Sequence, residues 1–333
     1  MKNILFCGTP EFAINSLLTI YNHQNQYGYN LVGVVTIQDK ISGRGNKVNE
    51  SEVKKVAQKL KLKVFQPELI HDPSFIDKIK KLNLDIIFVV AFKKLPRIFF
   101  EIPKLGTVNL HASLLPNYRG AAPINWAIIN GENQTGLTTF FINENIDSGK
   151  IILKHSIKIE EDWHYDDLNK KLMNESNYIV KKTLKKLIDG SYNAINQPEK
   201  LDSSYQAARK LVKSDYKLTS ELWNEKKLLR LFNHIRGISK PGIKMTIKIF
   251  DDNSEQQKNI ILTRVSNYNF FSKAKITENQ FLVNNNNIYI TNGQEQFKIE
   301  KIKIENKKEM ATFDFFNGYL KSKGDNKKIS III

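Results

Sequence analysis

A single cysteine, Cys7, stands in 333 residues. A disulfide framework and a cysteine-ligated zinc site are therefore both excluded, and a reducing cytoplasm is the expected compartment. No apolar run reaches the roughly 18 residues that a membrane-spanning helix requires. The apolar part of MKNILFCGTPEF is too short for a signal peptide and reads as a first core strand, Asn3 to Cys7. No two of the six histidines have metal-ligand spacing, so no metal is expected. Gly8-Thr9-Pro10 ends the first strand but is neither G-x-G-x-x-G nor a Walker loop, which leaves a dinucleotide or ATP with weak support. No internal repeat is present. Acidic residues are in deficit: 51 Lys and Arg face 34 Asp and Glu, a net charge of +17. A basic balance favours polyanionic partners such as nucleic acid, although richness in Lys, Asn and Ile can also follow from an AT-rich genome.

The first half alternates strand-like runs (NILFCG, LVGVVTI, IIFVVAF, TVNLHA) with helical patterns (FAINSLLTIYNH, SEVKKVAQKL, PSFIDKIKKL). That order predicts βαβ units and a mainly parallel sheet, an α/β domain over residues 1–189. TTFFIN and KIILKHSIKI add two strands, and a long amphipathic helix spans about Tyr165 to Ile188, ended by Asp189-Gly190. The polar, proline-containing stretch over 190–205 reads as a linker. Beyond it, ELWNEKKLLRLFNHIRG predicts one helix ending at Gly237, followed by KMTIKIF, NIILTRVSNY, NIYITN and QFKIEKIKI with no helices between them. Consecutive short strands predict a small antiparallel barrel over 206–320. A Lys-rich tail, 321–333, is expected to be loosely packed. From Gln206 to Ile333 there are 24 Lys and Arg against 13 Asp and Glu, so +11 of the charge lies there.

The stretch NLHASLLPNYRGAAPINW places an amide and an imidazole where a buried strand should end. Side chains two apart on a strand share a face, so Asn109 and His111 aim at one point. Asn109 offers a donor and His111 an imidazole, a side chain suited to moving protons. Asn145-Ile146-Asp147-Ser148-Gly149 puts a carboxylate in a turn between two strands, where Asp147 could orient His111 or tune its protonation. Such convergence at strand ends suits a catalytic site. Gly8-Thr9-Pro10 is either a ligand loop or an ordinary strand-to-helix turn. Ile41-Ser42-Gly43-Arg44-Gly45-Asn46-Lys47 is either a basic loop able to close over a phosphate or a solvated surface loop.

GTPEF, the GRG loop, VFQP, NLHASLLPNYRGAAPINW and IDSG occur in the order found in the formyltransferase family, which the chain resembles over about Lys2 to Tyr319. The GRG loop and the ending ENKKEMATFDFFNGY point to the branch that acts on charged initiator tRNA. The resemblance implies a Rossmann-like parallel-sheet N-terminal domain and a small OB-like antiparallel β-barrel. It implies formyl transfer from 10-formyltetrahydrofolate to the α-amino group of initiator methionyl-tRNA, by a monomer needing no protein partner. Asn109, His111 and Asp147 match the family's catalytic trio. Ser113, Leu114, Leu115 and Pro116 match its folate-binding stretch, Val89, Val90, Ala91 and Phe92 lie along its pterin pocket, and Arg44 falls in the loop that meets the tRNA acceptor end. AFKKLP stands where Ala-Tyr-Gly is more usual, and Ser239-Lys240-Pro241-Gly242 lacks the usual aromatic or second proline. Lys210, Lys213 and Arg236 are candidate tRNA contacts. The alternatives are a sugar N-formyltransferase acting on a nucleotide-linked amino sugar, and a non-enzymatic RNA-binding protein.

Overall fold

The computed structural model describes residues 1–42, 47–198, 202, 205–224, 227–251, 254–270, 279–321 and 328–332. These group into two compact units. One comprises Met1–Pro123, Thr135–Lys158 and Asn169–Ala208; the other comprises Ile124–Gln134, Ile159–Leu168 and Arg209–Ile333.

The first unit is organised by a seven-stranded sheet. Its strands are β1 (Lys2–Gly8), β2 (Tyr29–Val35), β3 (Val64–Phe65), β4 (Ile86–Val90), β5 (Thr107–His111), β6 (Gln134–Phe141) and β7 (Ile151–Lys158). In space they run β7-β6-β5-β4-β1-β2-β3. The first five are parallel, and β6 returns antiparallel to β5. All five residues of β4, Ile-Ile-Phe-Val-Val, are buried, as a strand covered on both faces requires. Helices α1 (Ile14–Asn22), α2 (Glu52–Lys59) and α3 (Pro73–Lys80) supply the crossovers. Their starts are written locally. The Ser51 hydroxyl accepts from the Lys54 N–H, and the Asp72 carboxylate accepts from the Phe75 N–H with Pro73 at the first helical position. Because the chain builds outward from β1 in both directions, the strand order switches between β1 and β4. The carboxyl ends of β1, β4 and β5 gather there, the usual ligand position in an open α/β sheet. A helix over Tyr165–Asp189 matches the expectation of Tyr165 to Ile188.

The second unit is a nearly closed antiparallel barrel, OB-like as expected. Its strands are β8 (Ile243–Asp251), β9 (Ser254–Phe270), β10 (Gln280–Asn284), β11 (Asn287–Thr291), β12 (Glu295–Ile304), β13 (Glu309–Ala311) and β14 (Lys328–Ile332). They are ordered β10-β11-β12-β9-β8-β14, with β13 on β12, and the end strands β10 and β14 approach one another. Register shifts along the 17-residue β9 let one long strand bend around the barrel. The core takes Phe297, Ile299 and Ile302 from β12 together with Leu231, Phe232 and Ile235 from a helix over Leu228–Gly237.

Two expectations are revised here. The single helix expected over 221–237 is two, Ser220–Trp223 and Leu228–Gly237. The buried Glu295 carboxylate accepts from the Leu228 N–H at 2.6 Å and so caps a fresh helix start there. The tail expected to be loose contributes β14, whose apolar residues pair with β8 from Thr246 to Phe250.

Arg236 is also revised. It is only 6% exposed, donates to the Trp163 and Glu160 carbonyls and to Asn233, and stacks over Phe232. It is a structural clamp within the barrel unit, not a surface contact. His164 is a neighbouring clamp, 1% exposed. Its Nδ1–H donates to the Asp162 carbonyl, and its Nε2 accepts from the Val265 N–H in β9. Both nitrogens are satisfied only in the neutral ring. Burial, and then the Arg264 charge, push it down to about 4. A histidine depressed on folding contributes stability that is fully present above its unfolded value near 6.5 and is lost as pH falls toward about 4. The expected loss is on the order of 3 kcal/mol across that window. Thermal unfolding followed from pH 7 to pH 4 should show it, and His164→Gln should flatten that limb.

Candidate active site

Asn109 and His111 are the third and last residues of β5, on one face of the strand. Register sets Asn109 beside Val89 of β4 and Phe140 of β6, and His111 beside Thr138 of β6. Asn109 is half-buried, and its side-chain amide has no hydrogen bond among the described residues. A half-buried, unengaged donor at a strand end is free to meet a substrate oxygen.

His111 is buried and held by one hydrogen bond. Nε2 lies 2.8 Å from the Tyr118 carbonyl oxygen. A carbonyl only accepts, so this nitrogen carries the proton. In the neutral ring the lone pair is then on Nδ1, which faces Asp147 Oδ2 at 3.7 Å. Asp147 lies in the turn between β6 and β7 with φ +51°, a left-handed conformation that Asp tolerates better than most residues. Its Oδ2 accepts from the Gly120 N–H at 2.9 Å. Gly149 closes the turn; a β-carbon there would collide with the Phe141 carbonyl.

Gly120 sits in a two-residue parallel ladder, Arg119–Gly120 beside Ala207–Ala208. Its φ is +127°, and a β-carbon would collide with the Ala208 carbonyl. The Tyr118 N–H donates to Gln206 O at 2.6 Å and the Ala121 N–H to Ala208 O at 2.7 Å. The strap over 206–208 thus fixes both backbone groups that hold the site, the Tyr118 carbonyl and the Gly120 N–H.

The segment after β5 is tied to β6. The Leu115 N–H donates to Thr138 Oγ1 at 3.1 Å, which donates to the Ser113 carbonyl at 2.6 Å, and Ser113 Oγ donates to Asn117 O at 2.6 Å. Ser113 and Leu115 are fully buried, so they shape the segment from beneath, whereas Leu114 and Pro116 reach the surface. Val89 and Val90 are buried in β4. Ala91 is exposed at φ +48°, and Phe92 packs half-buried on the apolar cluster around Leu5 and Val35. The backbone N–H and C=O groups of Ala91–Lys94 have no partner among the described residues. A heteroaromatic ring with alternating donors and acceptors fits such an edge. Arg44 lies outside the described residues. Among the described residues no group of His, Cys, Asp and Glu could hold a metal ion, and no helix is long and apolar enough to cross a membrane.

Sequence reasoning assembled Asn109, His111 and Asp147 but missed their holders: the Tyr118 carbonyl, the Gly120 N–H and Gln197. The first two are backbone groups and leave no side-chain signature. Gln197 lay inside a stretch that reads as linker.

An amide, an imidazole and a carboxylate gathered at strand ends and a turn accord with the family that the comparisons give. Residues 2–184 match the family model described as formyl transferase, and the chain belongs to that family. Within it, the methionyl-tRNA formyltransferase of Parabacteroides distasonis is 35% identical over 321 residues, 95% of each chain. That of Flavobacterium johnsoniae is 46% identical over 236 residues, 71% of this chain and 72% of the relative. Among solved structures, the sugar 3N-formyltransferase WlaRD, determined with dTDP and 5-N-formyl-THF, aligns with a TM-score of 0.61 at 20% identity over 92% of this chain and 99% of that one. The N-formyltransferase of Helicobacter canadensis, with folinic acid and dTDP-3-aminofucose, gives 0.62 at 18% identity over 90% and 99%. At these identities the structures establish the shared fold.

Gly120→Ala is expected to destabilise the chain by about 1–3 kcal/mol, since a new methyl group must displace the Ala208 carbonyl. Urea unfolding of the two proteins measures the difference.

Proposed function

We propose that the chain transfers the formyl group of 10-formyltetrahydrofolate to the α-amino group of initiator methionyl-tRNA. The observation that carries this reading is the free Asn109 amide beside a His111 whose unprotonated nitrogen faces Asp147, in a chain alignable with methionyl-tRNA formyltransferases over nearly its whole length. The reading implies the cytoplasm, where tRNA is charged, and a monomer acting without a protein partner.

The acceptor amine must be neutral to attack. An α-amino group titrates at about 7.7–8.0, so a useful neutral fraction exists near pH 7.5. Its lone pair forms the new N–C bond at the formyl carbon, and negative charge develops on the formyl oxygen. The Asn109 amide is the donor for that oxygen, a role typically contributing about 2.7–4 kcal/mol. His111 Nδ1 takes the proton from the attacking nitrogen. The charge that the ring gains faces the Asp147 carboxylate. As the bond from the formyl carbon to N10 breaks, the same proton passes to that nitrogen. Tyr118 keeps the ring in the orientation both transfers need. The unpaired backbone edge of Ala91–Lys94, with Phe92 and Leu114 beside it, would hold the donor's pterin. Arg44 would meet the tRNA acceptor end.

Asn109→Ala and His111→Ala should each lower kcat by about a hundredfold or more with native circular dichroism. Single-turnover formylation of charged initiator tRNA checks this, and near-wild-type rates in both would overturn the roles given. Offering a nucleotide-linked amino sugar in place of the tRNA separates this reading from that of a sugar N-formyltransferase. An inactive protein that still binds RNA would favour the non-enzymatic alternative.

The basic barrel unit supports a backbone-binding role, since OB-like barrels hold nucleic acid through basic grooves and aromatic faces. Lys210 and Lys213 are exposed. If several lysines neutralise phosphates, the log–log slope of tRNA affinity against salt should be several units, at about −0.7 to −0.9 per contact. The pair Lys210→Glu and Lys213→Glu should make that slope shallower and weaken tRNA binding without changing donor affinity. A slope near zero in the wild type would remove the barrel from tRNA binding.

A further inference from the structure

We propose that Gln197, outside the catalytic trio, is the positioning residue that sets Asp147 against His111. The amide spends its whole hydrogen-bonding capacity within the site. Its Nε2 donates to the Asp147 carbonyl at 3.0 Å and to the Gly149 carbonyl at 2.8 Å. Its Oε1 accepts from Arg119 Nε at 3.1 Å and Nη2 at 2.8 Å. Two donors and two acceptor sites are all that a primary amide offers. Gln197 is 9% exposed, so these bonds are shielded from competing water.

The four contacts join the two segments whose spacing defines the site. Asp147 and Gly149 belong to the turn that carries the carboxylate at φ +51°. Arg119 precedes Gly120, whose N–H holds that carboxylate, and follows Tyr118, whose carbonyl holds His111. Gln197 is itself seated by its own segment: Ile195 exchanges both backbone hydrogen bonds with Ile151 of β7 at 2.8 Å, and the Arg119 guanidinium reaches on to the Pro198 carbonyl at 3.3 Å. A left-handed non-glycine residue persists only where its surroundings over-determine it. Here the bolt is one side chain. No other residue type meets its requirements: Glu cannot donate to two carbonyls, Asn is one methylene shorter, and Met has the length but neither group.

This inference rests on the formyl-transfer reading for its kinetic consequence, but its geometric content does not. The test uses the full chain as Gln197→Met, Gln197→Glu, Asp147→Asn and the double variant Gln197→Met/Asp147→Asn. Two quantities are measured: the His111 ring signals by NMR without substrate, and kcat and KM for donor and charged tRNA. Both Gln197 variants should move the His111 signals in the direction that Asp147→Asn moves them. They should lower kcat by roughly tenfold to a hundredfold, the scale of a misplaced catalytic group, with both KM values within about twofold. In the Asp147→Asn background, Gln197→Met should cost nothing more, because the two act through one contact. Unmoved His111 signals overturn the proposal, as does a full additive loss in the double variant. Wild-type protein that fails to formylate methionyl-tRNA counts against the proposed function alone, because the ring signals still decide the role of Gln197.

Discussion

A carboxylate held nearly out of water is the constraint on which the rest of the site depends. Asp147 must keep its charge within reach of His111 while sitting on a tight turn. Its side chain is only 14% exposed, so protein groups do much of the holding. The Gly120 N–H meets the carboxylate directly and the Gln197 amide grips the turn beneath it. Each of these needs support in its turn. Gly120 can donate from where it does only because it lacks a β-carbon and lies against the Ala208 backbone. The stretch that looks like a connector between two units is therefore part of the framework of the candidate site. A site built this way is preorganised: its dipoles are aimed before any substrate arrives, which is the condition under which electrostatic stabilisation is most effective.

The first unit was legible in the sequence because each local signal agreed with the global arrangement. β-branched apolar runs alternated with capped amphipathic helices, and the pair Asn109 and His111 broke the apolar pattern of a core strand where a ligand should bind. The barrel was legible as a class from its consecutive strands. Gln280–Asn284 escaped notice because FLV is short and followed by a run of four asparagines. Lys328–Ile332 escaped because a Lys-rich preface masks five residues whose partner, β8, lies some eighty positions earlier. The single long helix over 221–237 followed from periodicity alone; the break is set by Glu295, a side chain from a strand that no local pattern links to Leu228. Arg236 shows the same limit for charge. Counting basic residues treats all as surface, whereas a guanidinium meeting three carbonyl-type oxygens within the fold is internal.

Under the proposed function, charge and catalysis are divided along the chain. The groups at the reacting end are neutral donors, one imidazole and one carboxylate, none of which needs the excess of lysine. Most of the excess, +11 of +17, lies from Gln206 onward, where it can act on a polyanion over distances of about 8–10 Å at ordinary salt. Recognition by many exposed cations tolerates the loss of any one, whereas the reacting end tolerates almost no displacement. The two halves of the sequence are accordingly under different physical demands, density of charge in one and exact placement in the other.

The barrel unit is not contiguous in the chain, and this bears on how the protein is made. Ile129, from the segment Ile124–Gln134, packs in the barrel core against Gly237, and the Asn125 amide donates to the Gly237 carbonyl. On a ribosome adding about 5–20 residues per second, those partners emerge roughly 5–20 s after the residues that await them. During that interval Ile129 has no finished barrel core to enter. The nascent chain must carry an apolar segment in waiting, and a chaperone that shields such segments would find its substrate there.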